Sequence, residues 1–132
     1  MGPNGIVYAI DHWLGSTGWE NSHPQWIPIM YDQFLSNIIH HNLTNIVKPI
    51  KMASLDAANK LNILADLIYI DASHLEEDVH NDIRTWLPKL KENGIMCGDD
   101  WSYKSVQKAI SRICNELNCQ VYSENNFWLL LR

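Results

Sequence analysis

Residues 65–76, ADLIYIDASHLE, contain the clearest change from strand to helix in the chain. The first seven form a short apolar run rich in β-formers and end in Asp71, which is typical of a buried strand. Ser73 and Glu76 have the S-x-x-E spacing of a capping box, which predicts that a helix starts here. Apolar residues then recur on one helical face until Pro88 and Gly94 bound the helix.

The same alternation continues on both sides of this segment and predicts an α/β fold. Alternating strands and helices are typical of a mostly parallel sheet with helices on both faces, a Rossmann-like three-layer sandwich, here one domain over residues 1–132. A turn over residues 124–126 is too short for a parallel crossover, so we expect the last strand to run antiparallel. Pro49 cannot donate to a sheet ladder, which places its strand at an edge. The predicted strands are 6–10, 46–52, 65–71, 95–97, 120–122 and 127–131, and the helices lie near 30–39, 55–61, 73–90 and 106–117.

Composition narrows the function classes. The chain has 132 residues and a net charge of −5, with ten scattered Lys and Arg residues, which argues against nucleic acid as a partner. No apolar run is long enough to span a membrane, and the N-terminus lacks the pattern of a signal peptide. Cys97, Cys114 and Cys119 are odd in number and lack a C-x-x-C pair, which predicts reduced thiols and a cytoplasmic protein.

Acidic residues end three of the predicted strands, and in open α/β sheets ligands bind beyond the carboxyl ends of the strands. Asp71, Asp99 and Asp100 offer the hard oxygen ligands that Mg²⁺ prefers. His74, three residues after Asp71, is a candidate general base because imidazole titrates near neutral pH. Asp11 ends the first strand, where an acid commonly binds ribose hydroxyls.

Four segments carry a family resemblance: AIDHW (9–13), YDQFLSNIIH (31–40), ADLIYIDASH (65–74) and WLPKLKENGIMCGDDW (86–101). They resemble the later part of class I S-adenosylmethionine-dependent methyltransferases. The likeness is strongest to the metal-dependent small-molecule O-methyltransferases of the catechol, macrocin and cephalosporin-hydroxylase-like groups.

The resemblance implies a cofactor, a metal and a reaction. S-adenosylmethionine would be bound through Asp11 at the ribose, through Ser54 at the adenosine and through Asp71. Mg²⁺ or another divalent cation would be held by Asp71 and the acidic pair at 99–100, and His74 would be the catalytic base. The expected acceptor is a hydroxyl of a small molecule.

The sequence departs from the family at its start. The family's first strand, its glycine-rich turn and its first helix should precede Ile6, where only residues 1–5 are available. We therefore expect an N-terminally truncated methyltransferase domain that lacks the glycine loop for the cofactor. The missing strand would lie between those ending at Asp11 and Asp71, so exposed apolar surface there predicts a homo-oligomer, such as a homodimer, that covers it.

Other interpretations remain open. The chain could be a non-catalytic remnant that binds no cofactor, a phosphoacceptor receiver domain or a metal-dependent hydrolase. In a receiver domain the acidic pair precedes the phosphoacceptor in the chain, whereas here the acidic pair follows it, which counts against that interpretation. The strand-end acids could simply cap helices or turns. Trp13, Trp19 and Trp26 lie in one polar loop and could cover a substrate pocket or fill the space of the missing strand. Trp101 could line the pocket or only pack.

Overall fold

The structure is a computed structural model that describes residues 5–15 and 24–132, so Trp19 lies outside the described residues. The chain divides after Ala57 into two compact units, and each is described by itself. The prediction of a single domain over residues 1–132 stays a prediction.

The first unit contains a pair of parallel strands and a long helix. Strand β1 (Val7–Asp11) pairs with β2 (Val47–Lys51), and helix α1 (Ile27–His40) lies between them in sequence. Helix α2 (Ser54–Lys60) begins near the end of the unit. Among the described residues β2 pairs with β1 alone, with Pro49 opposite Ala9, so the edge position predicted for Pro49 is confirmed.

Trp13 contributes to the core of the first unit. Its side chain is 6% exposed, and its ring lies 4.7 Å from Tyr31 and 5.1 Å from Phe34, both on α1. Its φ of 55° turns the chain sharply after β1 and directs the indole onto the helix. Of the tryptophans in the polar loop, Trp13 is therefore packed, whereas Trp26 is 50% exposed just before α1.

The second unit is a four-stranded sheet with two helices. The strand order is β3-β4-β6-β5, in which β3 and β4 are parallel and β6 is antiparallel to both β4 and β5. Only two residues, Asn125 and Asn126, connect β5 to β6, which leaves no room for a crossover. The antiparallel last strand is confirmed. The elements are β3 (Ala65–Ile70), α3 (Glu76–Trp86), a 3₁₀ turn (Leu87–Lys89), β4 (Leu90–Gly98), α4 (Lys104–Leu117), β5 (Gln120–Glu124) and β6 (Phe127–Leu131).

The predicted capping box at the start of α3 is wrong. The helix begins at Glu76 after Leu75, and no side chain caps it. The Ser73 hydroxyl instead accepts the N–H of Leu75 at 3.1 Å, a local turn that competes with a helix cap. His74 therefore lies in the loop before α3 and not in its first turn.

The two faces of the four-stranded sheet differ in burial. The side chains of one sheet face are buried against the apolar sides of α3 and α4. On these helices Ile83 and Ile110 are 0% exposed. On the other face large apolar side chains remain exposed to solvent. Strand β3 shows the alternation directly, because Ile68 and Ile70 are buried while Leu67 and Tyr69 are 45% and 51% exposed.

The chain thus has the expected fold class, a mixed α/β structure with mostly parallel strands. Within the described residues, no helix combines the length and the hydropathy that crossing a membrane requires.

Candidate functional site

Strands β3 and β4 end side by side, and this brings the strand-end acids to one edge of the four-stranded sheet. Ile70 and Gly98 are paired in the parallel register, and the N–H of Asp99 donates to the Ile70 carbonyl at 3.1 Å. Asp71 and Asp99 therefore follow neighbouring strand ends. This edge is where ligands bind in open α/β sheets.

Gly98 and Trp128 hold the end of β4 in place. A Cβ on Gly98 would lie 2.3 Å from the Ile70 carbonyl oxygen and 2.5 Å from Cζ2 of Trp128, so only glycine fits here. The Trp128 side chain is 1% exposed, and its Nε1–H donates to the Asp99 carbonyl at 2.8 Å. The backbone that carries Asp99 and Asp100 is thus held by the close approach of Gly98 to β3 and by the hydrogen bond from Trp128.

Asp100 and His74 form the closest contact of the site. Asp100 has a φ of 66°, a left-handed conformation that aspartate tolerates better than most residues. Its Oδ2 lies 2.7 Å from His74 Nε2, and its side chain is only 18% exposed. The imidazole of His74 stacks on Tyr103 with ring centroids 4.3 Å apart. The backbone carbonyl of His74 accepts a hydrogen bond from the Ser105 hydroxyl at 2.6 Å. The histidine is therefore held by a carboxylate, an aromatic ring and a backbone hydrogen bond.

Asn126, in the hairpin turn, supports the loop after the acidic pair through three hydrogen bonds. Its carbonyl accepts the N–H of Trp101 at 2.9 Å, and its side-chain oxygen accepts the N–H of Ser102 at 2.9 Å. Its Nδ2 donates to Asp100 Oδ1 at the longer distance of 3.4 Å. The turn at residues 125–126 is therefore part of the site's framework.

Electrostatics show that the acids influence one another. Partial desolvation raises the pKa of Asp71, the negative charges of Asp100 and Asp99 raise it further, and His74 opposes them. The pKa of the Tyr69 phenol is also raised, by partial desolvation first and then by nearby negative groups led by Asp99. This edge of the sheet therefore carries concentrated negative charge.

The carboxylates do not form a ready-made metal site. In the part of the chain that the structure describes, no three His, Cys, Asp or Glu side chains are grouped so that they could hold a metal ion. Asp100 instead directs one oxygen to His74. The structure thus brings His74 and Asp100 into contact and places Asp71 and Asp99 at the same sheet edge without a closed set of ligands.

The other predicted site residues lie as follows. Asp11 ends β1, and its Oδ1 accepts the N–H of Trp13 at 2.8 Å, so it caps the turn after the strand. Ser54 is the first residue of α2 and is half-buried. Trp101 is half-buried beside the acidic pair, and its carbonyl accepts the side-chain amide of Gln107 at 2.7 Å.

Sequence reasoning missed three residues of this site. Asn126 was predicted only as part of a polar turn, and Tyr103 and Tyr69 carried no prediction. Tyr69 precedes Asp71 by two positions, and residues so spaced on a strand share a sheet face, so its place near the acids could have been found. Nothing local in the sequence indicates the contacts of Asn126 or Tyr103.

Comparison with known proteins identifies relatives. The sequence profile of a family described as "Methyltransferase domain" matches residues 1–101. No curated protein sequence matches the chain.

Three solved structures of similar fold are described as methyltransferases and share little sequence identity with this chain. A Staphylococcus aureus protein assigned as a caffeoyl-CoA O-methyltransferase has a TM-score of 0.70 at 14% identity, over 97% of this chain and 76% of its own. The SAH-bound Podospora anserina methyltransferase PaMTH1 has a TM-score of 0.64 at 12% identity, over 99% of this chain and 62% of its own. CalS11, a TDP-rhamnose 3'-O-methyltransferase of calicheamicin biosynthesis, has a TM-score of 0.57 at 13% identity, over 96% of this chain and 57% of its own. The chain therefore spans less than two thirds of the last two proteins.

Proposed function

Because the chain belongs to the methyltransferase domain family, we propose that it transfers a methyl group from S-adenosylmethionine to a hydroxyl of a small molecule. The observation that carries this proposal is the 2.7 Å contact between His74 Nε2 and Asp100 Oδ2 beside the ends of β3 and β4. Bound S-adenosylmethionine would supply an electrophilic methyl group.

His74 is the general base of the proposed reaction. Its Nε2–H donates to the Asp100 carboxylate, and Nδ1 accepts the proton of the acceptor hydroxyl as the oxygen attacks the methyl carbon. The Asp100 carboxylate orients the ring and stabilises the imidazolium that forms, as an aspartate does in other histidine bases. Stacking on Tyr103 at 4.3 Å limits the rotation of the ring. These residues thus position the base before the acceptor binds.

The cofactor contacts are proposed from the family resemblance. Asp11 binds the ribose hydroxyls, Ser54 contacts the adenosine, and Asp71 lies toward the reacting end of the cofactor. Asp11 uses one carboxylate oxygen for the turn at Trp13, which leaves a second oxygen for a ribose hydroxyl. A bound SAH in the Podospora anserina relative supports the choice of cofactor. We also propose that Trp101 lines the acceptor pocket, whereas the pocket role of Trp13, a core side chain, stays a prediction.

A divalent cation such as Mg²⁺ is the second part of the proposal. The donor chemistry fits, because Asp71, Asp99 and Asp100 are oxygen ligands whose mutual repulsion contributes to the raised pKa of Asp71. A cation held there would offset this repulsion and would lower the pKa of an acceptor hydroxyl. The described side chains are not grouped as a metal site, so binding requires them to rearrange.

The rival interpretation is a remnant of the methyltransferase fold that binds neither cofactor nor metal. Binding measurements separate the two interpretations because a remnant gives no heat with either ligand.

Calorimetric titration of the chain with S-adenosylmethionine and with S-adenosylhomocysteine tests the cofactor. We expect saturable heat, and we expect Asp11→Asn to weaken binding about tenfold or more, because a charge-assisted hydrogen bond is worth about 1.5–3 kcal/mol. Asparagine keeps the oxygen that Trp13 needs, so the turn should survive. Asp32→Asn, at an exposed position of α1, is the matched control and should bind as the unchanged chain does. No heat from the unchanged chain would support the remnant.

Titration with Mg²⁺ alone tests the metal. We expect saturable binding that Asp71→Asn weakens at least about tenfold, because the site loses a charged ligand. Asp66→Asn is the control on the neighbouring strand segment, since Asp66 is 84% exposed and pairs with Lys91 at 2.8 Å. Equal affinities of the two variants would refute the assigned ligands.

We propose further that the chain forms a homo-oligomer through the exposed apolar face of the four-stranded sheet. Leu67 and Ile95 are register partners on that face and are 45% and 47% exposed. Sedimentation equilibrium should give a dimer that Leu67→Lys dissociates, whereas Leu117→Lys, at an exposed position of α4, should not change the mass. A monomer in every sample would refute this part. A cytoplasmic location stays a prediction.

A further inference from the structure

Two cysteines meet where α4 ends, at a place that the proposed methyl transfer does not use. The Sγ atoms of Cys114 and Cys119 lie 3.5 Å apart, and both side chains are half-buried. The contact follows from how the helix ends. Asn118 has a φ of 52°, a left-handed conformation that reverses the chain, and the N–H of Cys119 donates to the Cys114 carbonyl at 3.1 Å. This hydrogen bond holds the second cysteine over the last turn of the helix.

The third cysteine provides an internal comparison. Cys97 lies in β4 and is 4% exposed, so reagents reach it only when the sheet opens. Cys114 and Cys119 are partly accessible and need no such opening. All three cysteines are free. The chain therefore contains one reachable pair of thiols and one shielded thiol.

We propose that Cys114 and Cys119 form a dithiol modification site that reacts with a small-molecule disulfide, such as glutathione disulfide, to give an internal disulfide bond. In the first step the Cys119 thiolate attacks one sulfur of the reagent, forms a mixed disulfide and releases one glutathione thiolate. In the second step the Cys114 thiol loses its proton to solvent, and its sulfur attacks Sγ of Cys119 and releases the second glutathione thiolate. The two protein thiols are oxidised, the reagent disulfide is reduced to two glutathione thiols, and the two protons of the protein thiols pass through solvent to the released glutathione sulfurs.

The order of the two steps is proposed from the environment of the Cys114 sulfur. Partial burial, together with the neighbouring Cys119, raises the pKa of Cys114 to about 11, so only a small fraction of this thiol is ionised at neutral pH. Cys114 is therefore the resolving thiol, which acts once a disulfide sulfur is next to it.

The geometry requires little movement for the bond to form. A disulfide needs sulfur atoms about 2.05 Å apart, so the observed separation must shorten by about 1.5 Å, which side-chain rotations can supply. The Cys114–Cys119 backbone hydrogen bond already closes the loop that the disulfide would close. The loop-closure cost is thus already met in the folded chain.

Mass spectrometry after reaction of the folded 132-residue chain with glutathione disulfide tests the proposal. Subsequent alkylation should label one of the three cysteines, Cys97, once the chain is unfolded. Peptide mapping should find Cys114 linked to Cys119, with a mass lower by two hydrogen atoms, and a reducing agent should restore three alkylatable thiols. Cys114→Ser should instead retain one glutathione on Cys119, because it lacks the resolving thiol. Cys97→Ala should behave as the unchanged chain does.

A second measurement separates folded geometry from simple closeness in sequence. The equilibrium constant for disulfide formation against glutathione should be at least about tenfold larger in the folded chain than in concentrated urea, because the fold holds the sulfurs together. Equal constants in the two states would overturn the proposal. A mixed disulfide that persists on the unchanged chain, a link that involves Cys97, or no reaction at all would overturn it as well.

Discussion

Replacing Trp128 with phenylalanine tests whether this side chain anchors the end of β4 and with it the acidic pair. The indole is 1% exposed, lies against Gly98 and donates its N–H to the Asp99 carbonyl at 2.8 Å. Phenylalanine keeps an aromatic ring in the core but cannot donate this hydrogen bond. The substitution therefore removes one anchoring contact and a defined volume.

The expected cost has two parts. The smaller ring leaves about 40 Å³ unfilled, which at about 24 cal/mol per Å³ costs about 1 kcal/mol. The Asp99 carbonyl loses its indole donor, and an unsatisfied buried acceptor costs about 1–3 kcal/mol. Asp99 is half-buried, so water can replace part of that bond and the lower half of the range applies. We expect a loss of about 2–3 kcal/mol, equivalent to a Tm lower by about 10 °C.

Urea unfolding followed by far-ultraviolet circular dichroism measures this loss without relying on tryptophan fluorescence. Trp26→Phe is the matched control, because Trp26 is 50% exposed and its substitution should change the free energy of unfolding by less than about 0.5 kcal/mol. A Trp128→Phe variant as stable as the Trp26→Phe variant would refute the anchoring argument.

Three further predictions concern the sheet edge and the helix pair. Gly98→Ala should lower the free energy of unfolding in urea by about 3 kcal/mol or more, because the new Cβ would meet the Ile70 carbonyl at 2.3 Å. Gly94→Ala should lower it less, because the nearest neighbour of its new Cβ is the flexible Leu90 side chain. Asp71→Asn should raise the free energy of unfolding at neutral pH, because the raised pKa of Asp71 means that its ionised form destabilises the fold. This gain in stability should disappear as the pH falls through the raised pKa toward 3.8. A gain that persists at that pH would contradict the charge argument. Glu116→Gln should lower the Tm at neutral pH, because the hydrogen bond to His80 lowers the pKa of Glu116 and so stabilises the folded state. The stabilisation by the ionised Glu116 is present above about pH 4.5 and is lost as the pH falls through the lowered pKa. Thermal melts of the unchanged chain and the Glu116→Gln variant should therefore converge in acid.

Several features of the fold follow from the sequence because their causes are local. Alternating apolar runs and helical stripes indicate the strands and helices directly. Two residues between β5 and β6 exclude a parallel crossover, and Pro49 excludes a central strand. The position of Asp71 directly after β3 is local in the same sense.

The candidate site depends on contacts that local patterns do not encode. His74 meets Asp100 because parallel pairing aligns the ends of β3 and β4 and because Asp100 adopts a left-handed conformation. Asn126 reaches the same loop from a hairpin that is 26 residues farther along the chain. The capping box failed because the Ser73 hydroxyl bonds to Leu75, a choice between two local hydrogen bonds that the spacing alone does not resolve.

The sequence alone therefore determined the order and type of the elements, the edge strand and the acids that follow β3 and β4, since each depends on neighbouring residues. Only the tertiary structure decided that His74 pairs with Asp100, that the acids do not group as metal ligands within the described residues, and that Cys114 and Cys119 touch. Strand register, the conformation of single residues and the way a helix ends set these distances, and a one-dimensional pattern does not specify them.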